Sequence, residues 1–220
     1  MLIRLPYERE NTTMGYFPLC PGCQKESTDP MDRRFHAEAI ACPNCGPRLI
    51  LYQTKVDEPI VWGREALNLA RRSIIEGKIL AIKGLTGFHF ICRADRAEIV
   101  KELRRRKRRP IKPFTVMFPS LELLKEHCYV NEEDIRLMQS PQSPIILVPG
   151  KDLLPKDVAE GINPVGAMLP YTPIHLLILG GLSFRVVATS VNLSVEPLII
   201  EKEKARKALA EVADYFFCSR

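Results

Sequence analysis

The sequence predicts an α/β fold that carries a small N-terminal zinc-finger domain of four cysteines. Two observations lead there. Cys20-Pro-Gly-Cys23 and Cys42-Pro-Asn-Cys45 repeat a C-x2-C spacing, and each pair can present two thiolates from one tight knuckle to a tetrahedral zinc. After Asp57-Glu58-Pro59, segments with helical apolar spacing alternate with short β-branched runs, which is the texture of an α/β domain. The expected division is therefore a zinc-finger domain over 1–56 and an α/β domain over 57–220.

From Met1 to about Val56 the chain is rich in Cys, Pro, Asn and Thr and shows no sustained helical or strand period. Such a segment buries little apolar surface and needs a staple. Cys20, Cys23, Cys42 and Cys45 are the expected metal ligands. Four thiolates leave no open coordination position, so a structural rather than catalytic Zn2+ is expected. His36, between the pairs, is an alternative ligand. Cys92, Cys128 and Cys218 lie in apolar or strand-like contexts and read as small core residues.

In the second part, Leu67, Ala70, Ile74 and Ile75 recur at helical spacing over 64–76, and Gly77 suits a left-handed cap. Strands are expected at 79–82, 88–92, 114–118, 144–148, 165–169, 185–188 and 215–218. Helices are expected at 94–106, 121–127, 132–138, 173–179 and 202–213.

The chain has 220 residues, 46% of them hydrophobic and 26% charged, enough apolar material for one good-sized core plus an appendage. No apolar run approaches the roughly 18 residues of a membrane span, and Met1–Glu10 mixes charge with proline where a signal peptide would be apolar. A cytoplasmic protein with no membrane partner is expected, and seven cysteines then argue for metal rather than a disulfide framework. The net charge of +6 favours anionic partners: nucleotides, phosphorylated metabolites or nucleic acid.

Positive charge is densest in the run Arg104-Arg105-Arg106-Lys107-Arg108-Arg109, followed by Pro110, Lys112 and Pro113. Cations at a helix C-terminus are favoured by the dipole, so a solvated helix end is one reading. The prolines fix the exit path and would hold Lys107, Arg109 and Lys112 beside the sheet, which makes polyphosphate binding another. RNA is a third, weakened because no aromatic interleaves the charges for base stacking. Ser190-Val191-Asn192 follows a buried strand, where α/β sheets place ligand loops, although Ser and Asn also serve as turn residues. The loop from Lys83 through Gly84 and Gly87 to His89 couples glycines with Lys, Thr and His. His89 reads equally as structural or catalytic, and His175, in an apolar helix, reads as structural.

Four stretches together resemble the HypF family of hydrogenase maturation carbamoyltransferases: Asp29–Glu38 leading to Ala41-Cys-Pro-Asn-Cys-Gly-Pro-Arg48, Lys83-Gly-Leu-Thr-Gly-Phe-His89, Arg104–Met117, and Met168-Leu-Pro-Tyr-Thr-Pro173. The resemblance implies the family's second zinc finger followed by a YrdC-like domain, a twisted open mixed sheet with flanking helices similar to the threonylcarbamoyl-adenylate synthases. It implies a domain that forms carbamoyl-adenylate from Mg-ATP and carbamate, with carbamate or carbamoyl phosphate as its small-molecule partner. Lys107, Arg109, Lys112, Ser190 and Asn192 would hold the nucleotide, and Lys83 and His89 would face the substrate as catalytic residues. The family's acylphosphatase-like domain, first finger, kinase-fold domain and final strand segment have no counterpart in these residues, so the full reaction is expected to need them or other maturation proteins. Arg93 stands where the family has Asp, and Val191 and Val195 where it has Gly. The competing expectation is a non-catalytic module of the same fold that binds protein or double-stranded RNA.

Overall fold

The computed structural model describes residues 2–54, 56, 58–84, 87–151, 158, 164–191 and 210–219. The chain forms two compact units, 1–48 with 219–220, and 49–218. The expected boundary at 56 lies later than this division, because the run Leu49-Ile-Leu-Tyr-Gln53 is a sheet strand buried at Ile50, Leu51 and Tyr52. A short apolar run without alternation carries no local period to mark it as a strand.

In the first unit, two short 3-10 turns (Arg9–Asn11 and Thr13–Tyr16) precede helix α1, Pro21–Thr28. Cys23 and Ile40 are the only buried apolar residues among those described in 2–48. Polar ties stand in for a core. The Arg9 guanidinium donates to the carbonyl oxygens of Glu38 (3.0 Å), Ile40 (2.6 Å) and Phe17 (2.8 Å).

The second unit is built on nine strands: β1 (Leu49–Gln53), β2 (Pro59–Trp62), β3 (Leu80–Lys83), β4 (Phe88–Arg93), β5 (Thr115–Met117), β6 (Ile146–Pro149), β7 (Pro164–Met168), β8 (Val186–Ser190) and β9 (Tyr215–Ser219). Among the described residues they form one sheet in the order β2-β1-β9-β3-β4-β8-β5-β7-β6. β3 with β9 and β5 with β7 run parallel, while β3 with β4, β4 with β8 and β6 with β7 run antiparallel, so the sheet is mixed as expected. Helices α2 (Gly63–Ile75), α3 (Ala97–Lys107), α4 (Leu121–His127), α5 (Glu132–Met138) and α6 (Pro173–Leu179) flank it.

Alternation along the strands divides the core into two layers. Phe90 and Cys92 of β4 join Val100 and Leu103 of α3 in one layer. Ile91 joins Ala66, Ala70 and Ile74 of α2 and Ile178 and Leu179 of α6 in the other. Helix ends follow local chemistry. Gly77 takes φ +85° after α2, Ser120 accepts from Leu123 N–H, Asn131 and Asp134 close a capping box, and Thr172 accepts from His175 N–H. The expected helix from Lys202 falls largely outside the described residues, as do Asn192 and Val195. No helix among the described residues is long and apolar enough to cross a membrane.

Candidate functional site

The four expected metal ligands converge. Pro21 starts α1 directly after Cys20, so Cys20 occupies the N-cap and Cys23 the first turn, while Cys42 and Cys45 come from the second knuckle. All four Sγ atoms lie within 4.8 Å of one another, with Cys20–Cys42 at 3.6 Å and Cys42–Cys45 at 3.7 Å. A tetrahedron with Zn–S bonds of about 2.3 Å has S–S edges of about 3.8 Å, so the sulfurs fit zinc. Burial and the three adjacent sulfurs push the Cys23 thiol up to about 12. Backbone hydrogen bonds at Cys20 and Cys42 bring Cys45 down to about 6. A dication held by Cys20, Cys23, Cys42 and Cys45 would resolve that conflict by stabilising all four thiolates together. His36 does not belong to this cluster.

The second knuckle depends on Gly46. Its N–H donates to the Cys42 carbonyl at 2.8 Å, and a Cβ there would meet Ala41 Cβ at 2.9 Å and the Cys42 carbonyl oxygen at 3.0 Å. Gly46→Ala is expected to splay the knuckle and lower zinc affinity about 10-fold, measured by competition with a chromophoric chelator. Affinity equal to that of the unsubstituted chain would refute the close-approach account.

In the second unit, register brings the strand-borne candidates together. His89 pairs with Ser190 across β4 and β8, and Lys83 ends β3 opposite Phe88. Lys107, the last residue of α3, is 1% exposed. Its Nζ donates to the Ser190 carbonyl oxygen at 2.6 Å and lies 5.8 Å from the centre of the Phe90 ring. Burial, with Arg109 and Lys112 nearby, lowers the ammonium to about 8. Lys107 and His89 reach this strand end from opposite faces of the sheet: Lys107 lies with Phe90 and α3, His89 with α6.

The rest of the basic run is largely engaged within the fold. Arg108 adopts φ +52° and turns the chain out of α3. Arg104 donates to the carbonyl oxygens of Arg109, Pro110 and Lys112, and Arg109 donates to those of Lys112 and Pro113. Both guanidinium groups also lie over Phe114, at 4.5 and 5.2 Å. Arg105 and Arg106 pair with Glu102, and Arg106 also with Asp214. Those two guanidinium groups hold the Glu102 carboxyl down at about 2. Lys112 keeps an exposed side chain. What the residue types alone did not reveal is that Arg104 and Arg109 brace the 109–113 loop, a role legible only from where their donors point.

Beside His89 lie two rings that the sequence reading left out of the site. Tyr171 Oη is 3.5 Å from His89 Nδ1, and His175, fully buried, has its ring centre 4.6 Å from that of Tyr171 and 5.9 Å from that of His89. Burial lowers both imidazoles, His175 to about 4 with His89 beside it, so burial disfavours the charged form of each ring.

Residues 19–52 match the HypF finger family model, and residues 72–219 match the Sua5, YciO and YrdC family model, described as Telomere recombination. Carbamoyltransferase HypF of Rhodobacter capsulatus is 44% identical over 98% of this chain and 29% of its own length. The Synechocystis HypF is 44% identical over 90% of this chain and 32% of its own. The chain thus spans about a third or less of these relatives. Among solved structures, full-length HypF in a phosphate- and nucleotide-bound form matches with a TM-score of 0.83 and 40% identity, over all of this chain and 28% of that one. Sua5 of P. abyssi, solved with L-threonine, matches with a TM-score of 0.62 at 21% identity over 70% of this chain and 46% of that one, a likeness of fold alone.

Proposed function

The chain belongs to the HypF carbamoyltransferase family, and from that premise we propose that its YrdC-like unit binds Mg-ATP and forms carbamoyl-adenylate for [NiFe]-hydrogenase maturation in the cytoplasm, beside a finger that holds structural zinc. A carbamate oxygen attacks the α-phosphorus, forming the O–P bond of the adenylate. The bond to the β-phosphate bridging oxygen breaks, and pyrophosphate leaves with Mg2+. Little covalent chemistry falls to the protein, so its residues work by positioning and charge neutralisation. Lys107 and Lys112 offset phosphate charge, and Arg109 both braces the 109–113 loop and adds positive potential. Ser190 meets the nucleotide, with Asn192 assigned there on family resemblance. Lys83 and His89 face the carbamate.

The observation that carries this reading is the meeting of His89, Ser190 and Lys107 at one strand end, by strand register and a 2.6 Å hydrogen bond. The RNA-binding reading gains no such support, because Arg104, Arg105, Arg106 and Arg109 are engaged with carboxylates or carbonyl oxygens. Calorimetric titration with Mg-ATP is expected to give saturable binding with a Kd between about 1 μM and 1 mM, weakened about 10-fold in Lys112→Ala. The zinc-loaded chain is further expected to exchange labelled pyrophosphate into ATP only when carbamate is present. Absence of ATP binding at millimolar nucleotide, or exchange independent of carbamate, would refute the proposal.

A further inference from the structure

His89 is held on several sides by groups that the proposed chemistry does not use. A side chain on Gly84 would meet the Cε1–Nδ1 edge of its ring at 3.2 and 3.3 Å, so the glycine backbone packs directly against that edge. Tyr171 Oη faces Nδ1 at 3.5 Å, and His175 lies edge-on to the Tyr171 ring. Both ring nitrogens of His175 are buried and have no hydrogen-bond partner among the described residues. A buried, unpaired polar ring costs stability that an apolar side chain of the same shape would not.

The Tyr171–His89 contact can run in either direction, according to which ring nitrogen of His89 carries the proton. A phenol is a good donor and, with burial raising its ionisation, stays protonated. A phenol O–H donates more strongly than an imidazole N–H, and an imidazole nitrogen accepts more strongly than a phenol oxygen, so the contact favours Tyr171 as donor. If Tyr171 donates, Nδ1 accepts and the His89 proton must sit on Nε2, the nitrogen turned away from Tyr171.

We infer that Tyr171 is a positioning residue that holds His89 as a neutral imidazole with its proton on Nε2, so that the small oxyanion substrate meets a neutral N–H donor and not a cation. His175 supports this arrangement by filling the space behind both rings without adding charge. A neutral donor holds a carbamate oxygen in place without quenching its nucleophilicity as an ion pair would, while Lys107, on the other face of the sheet, carries the positive charge toward phosphate. The inference rests on the proposed substrate-side role of His89, but its first test does not.

The chain has four histidines, so long-range 1H–15N spectra of the 15N-histidine-labelled full chain, assigned with single His substitutions, resolve the tautomer of each ring. His89 is expected as the Nε2–H form at pH 7 in the unsubstituted chain and as a mixture with the Nδ1–H form in Tyr171→Phe, which keeps the ring packing and loses only the hydroxyl. The same variant is expected to slow carbamate-dependent pyrophosphate exchange about 10-fold in kcat with an unchanged KM for ATP. An Nδ1–H tautomer in the unsubstituted chain, or a His89 spectrum that Tyr171→Phe leaves unaltered, overturns the inference whether or not exchange is observed. Absence of exchange in the unsubstituted chain, with the tautomers as expected, tells against the proposed reaction instead.

Discussion

Chelating zinc from the full chain is expected to unfold residues 1–48 and to leave residues 49–218 folded. The first unit has Cys23 and Ile40 as its only buried apolar side chains among the described residues. At about 0.8 kcal/mol per buried methylene, that burial falls far short of the ordering entropy of some fifty residues. Structural zinc contributes on the order of 10–16 kcal/mol in isolated fingers, and because the site does not exist in the unfolded chain, that binding energy is folding energy. The second unit has two extensive apolar layers and no described metal cluster, so nothing ties its stability to the ion. Limited proteolysis after chelation should cut within 2–48 and spare a core beginning near Leu49. Amide spectra should lose the dispersed signals of the first unit and keep those of the second. Collapse of both units together would refute the independence of the α/β unit.

Lys107→Met is expected to abolish Mg-ATP binding while stabilising the protein. The ammonium is almost completely buried, with the Ser190 carbonyl and the Phe90 ring beside it, and burial is the largest cause that shifts its ionisation. Its folded value of about 8 lies below its ordinary value of 10.5, so folding disfavours the protonated form. Below pH 8 both states keep the proton, and the whole cost of burying the charge is present. Between pH 8 and 10.5 the unfolded chain holds a proton that the folded one has released, so stability rises with pH. Met fills a similar volume without the charge. A gain of about 1–2 kcal/mol at pH 7 is expected, discounted for the Ser190 carbonyl that loses its donor. That corresponds to about 2–4 °C in Tm per kcal/mol for a domain of this size. The gain should shrink as the pH approaches 10. A variant less stable at pH 7, or a difference that does not change with pH, would show that the lysine supports the fold and is not a charge kept there for phosphate. The expected trade of stability for ligand charge is common where a fold keeps a strained or desolvated group for function.

Much of the architecture was legible because its causes are local. Helices α4, α5 and α6 coincide with the expected spans, since Ser120, Asn131 and Thr172 each announce a helix start a few residues ahead of its apolar face. Gly77 closes α2 for an equally local reason, the positive φ it adopts. β1 and β2 escaped because Leu49–Gln53 is a plain apolar run next to the cysteines, and Pro59–Trp62 offers only four residues of alternation. Both become strands by pairing with each other within a sheet whose other members lie far along the chain.

The residues by themselves determined the C-x2-C pairs, the alternation of helix and strand, the helix caps and the family. Each is written in spacings of a few residues, over which backbone geometry and side-chain chemistry act directly. Tertiary structure decided which cations of the basic run brace a loop and which face the strand end, since a guanidinium donates to whatever carbonyl oxygen folding brings near. It also put Lys107 and His89 on opposite faces of β4 and set Tyr171 against His89 across 82 residues of chain. Such contacts come from strand register and from helices packing on the sheet, and no local period in the sequence encodes them.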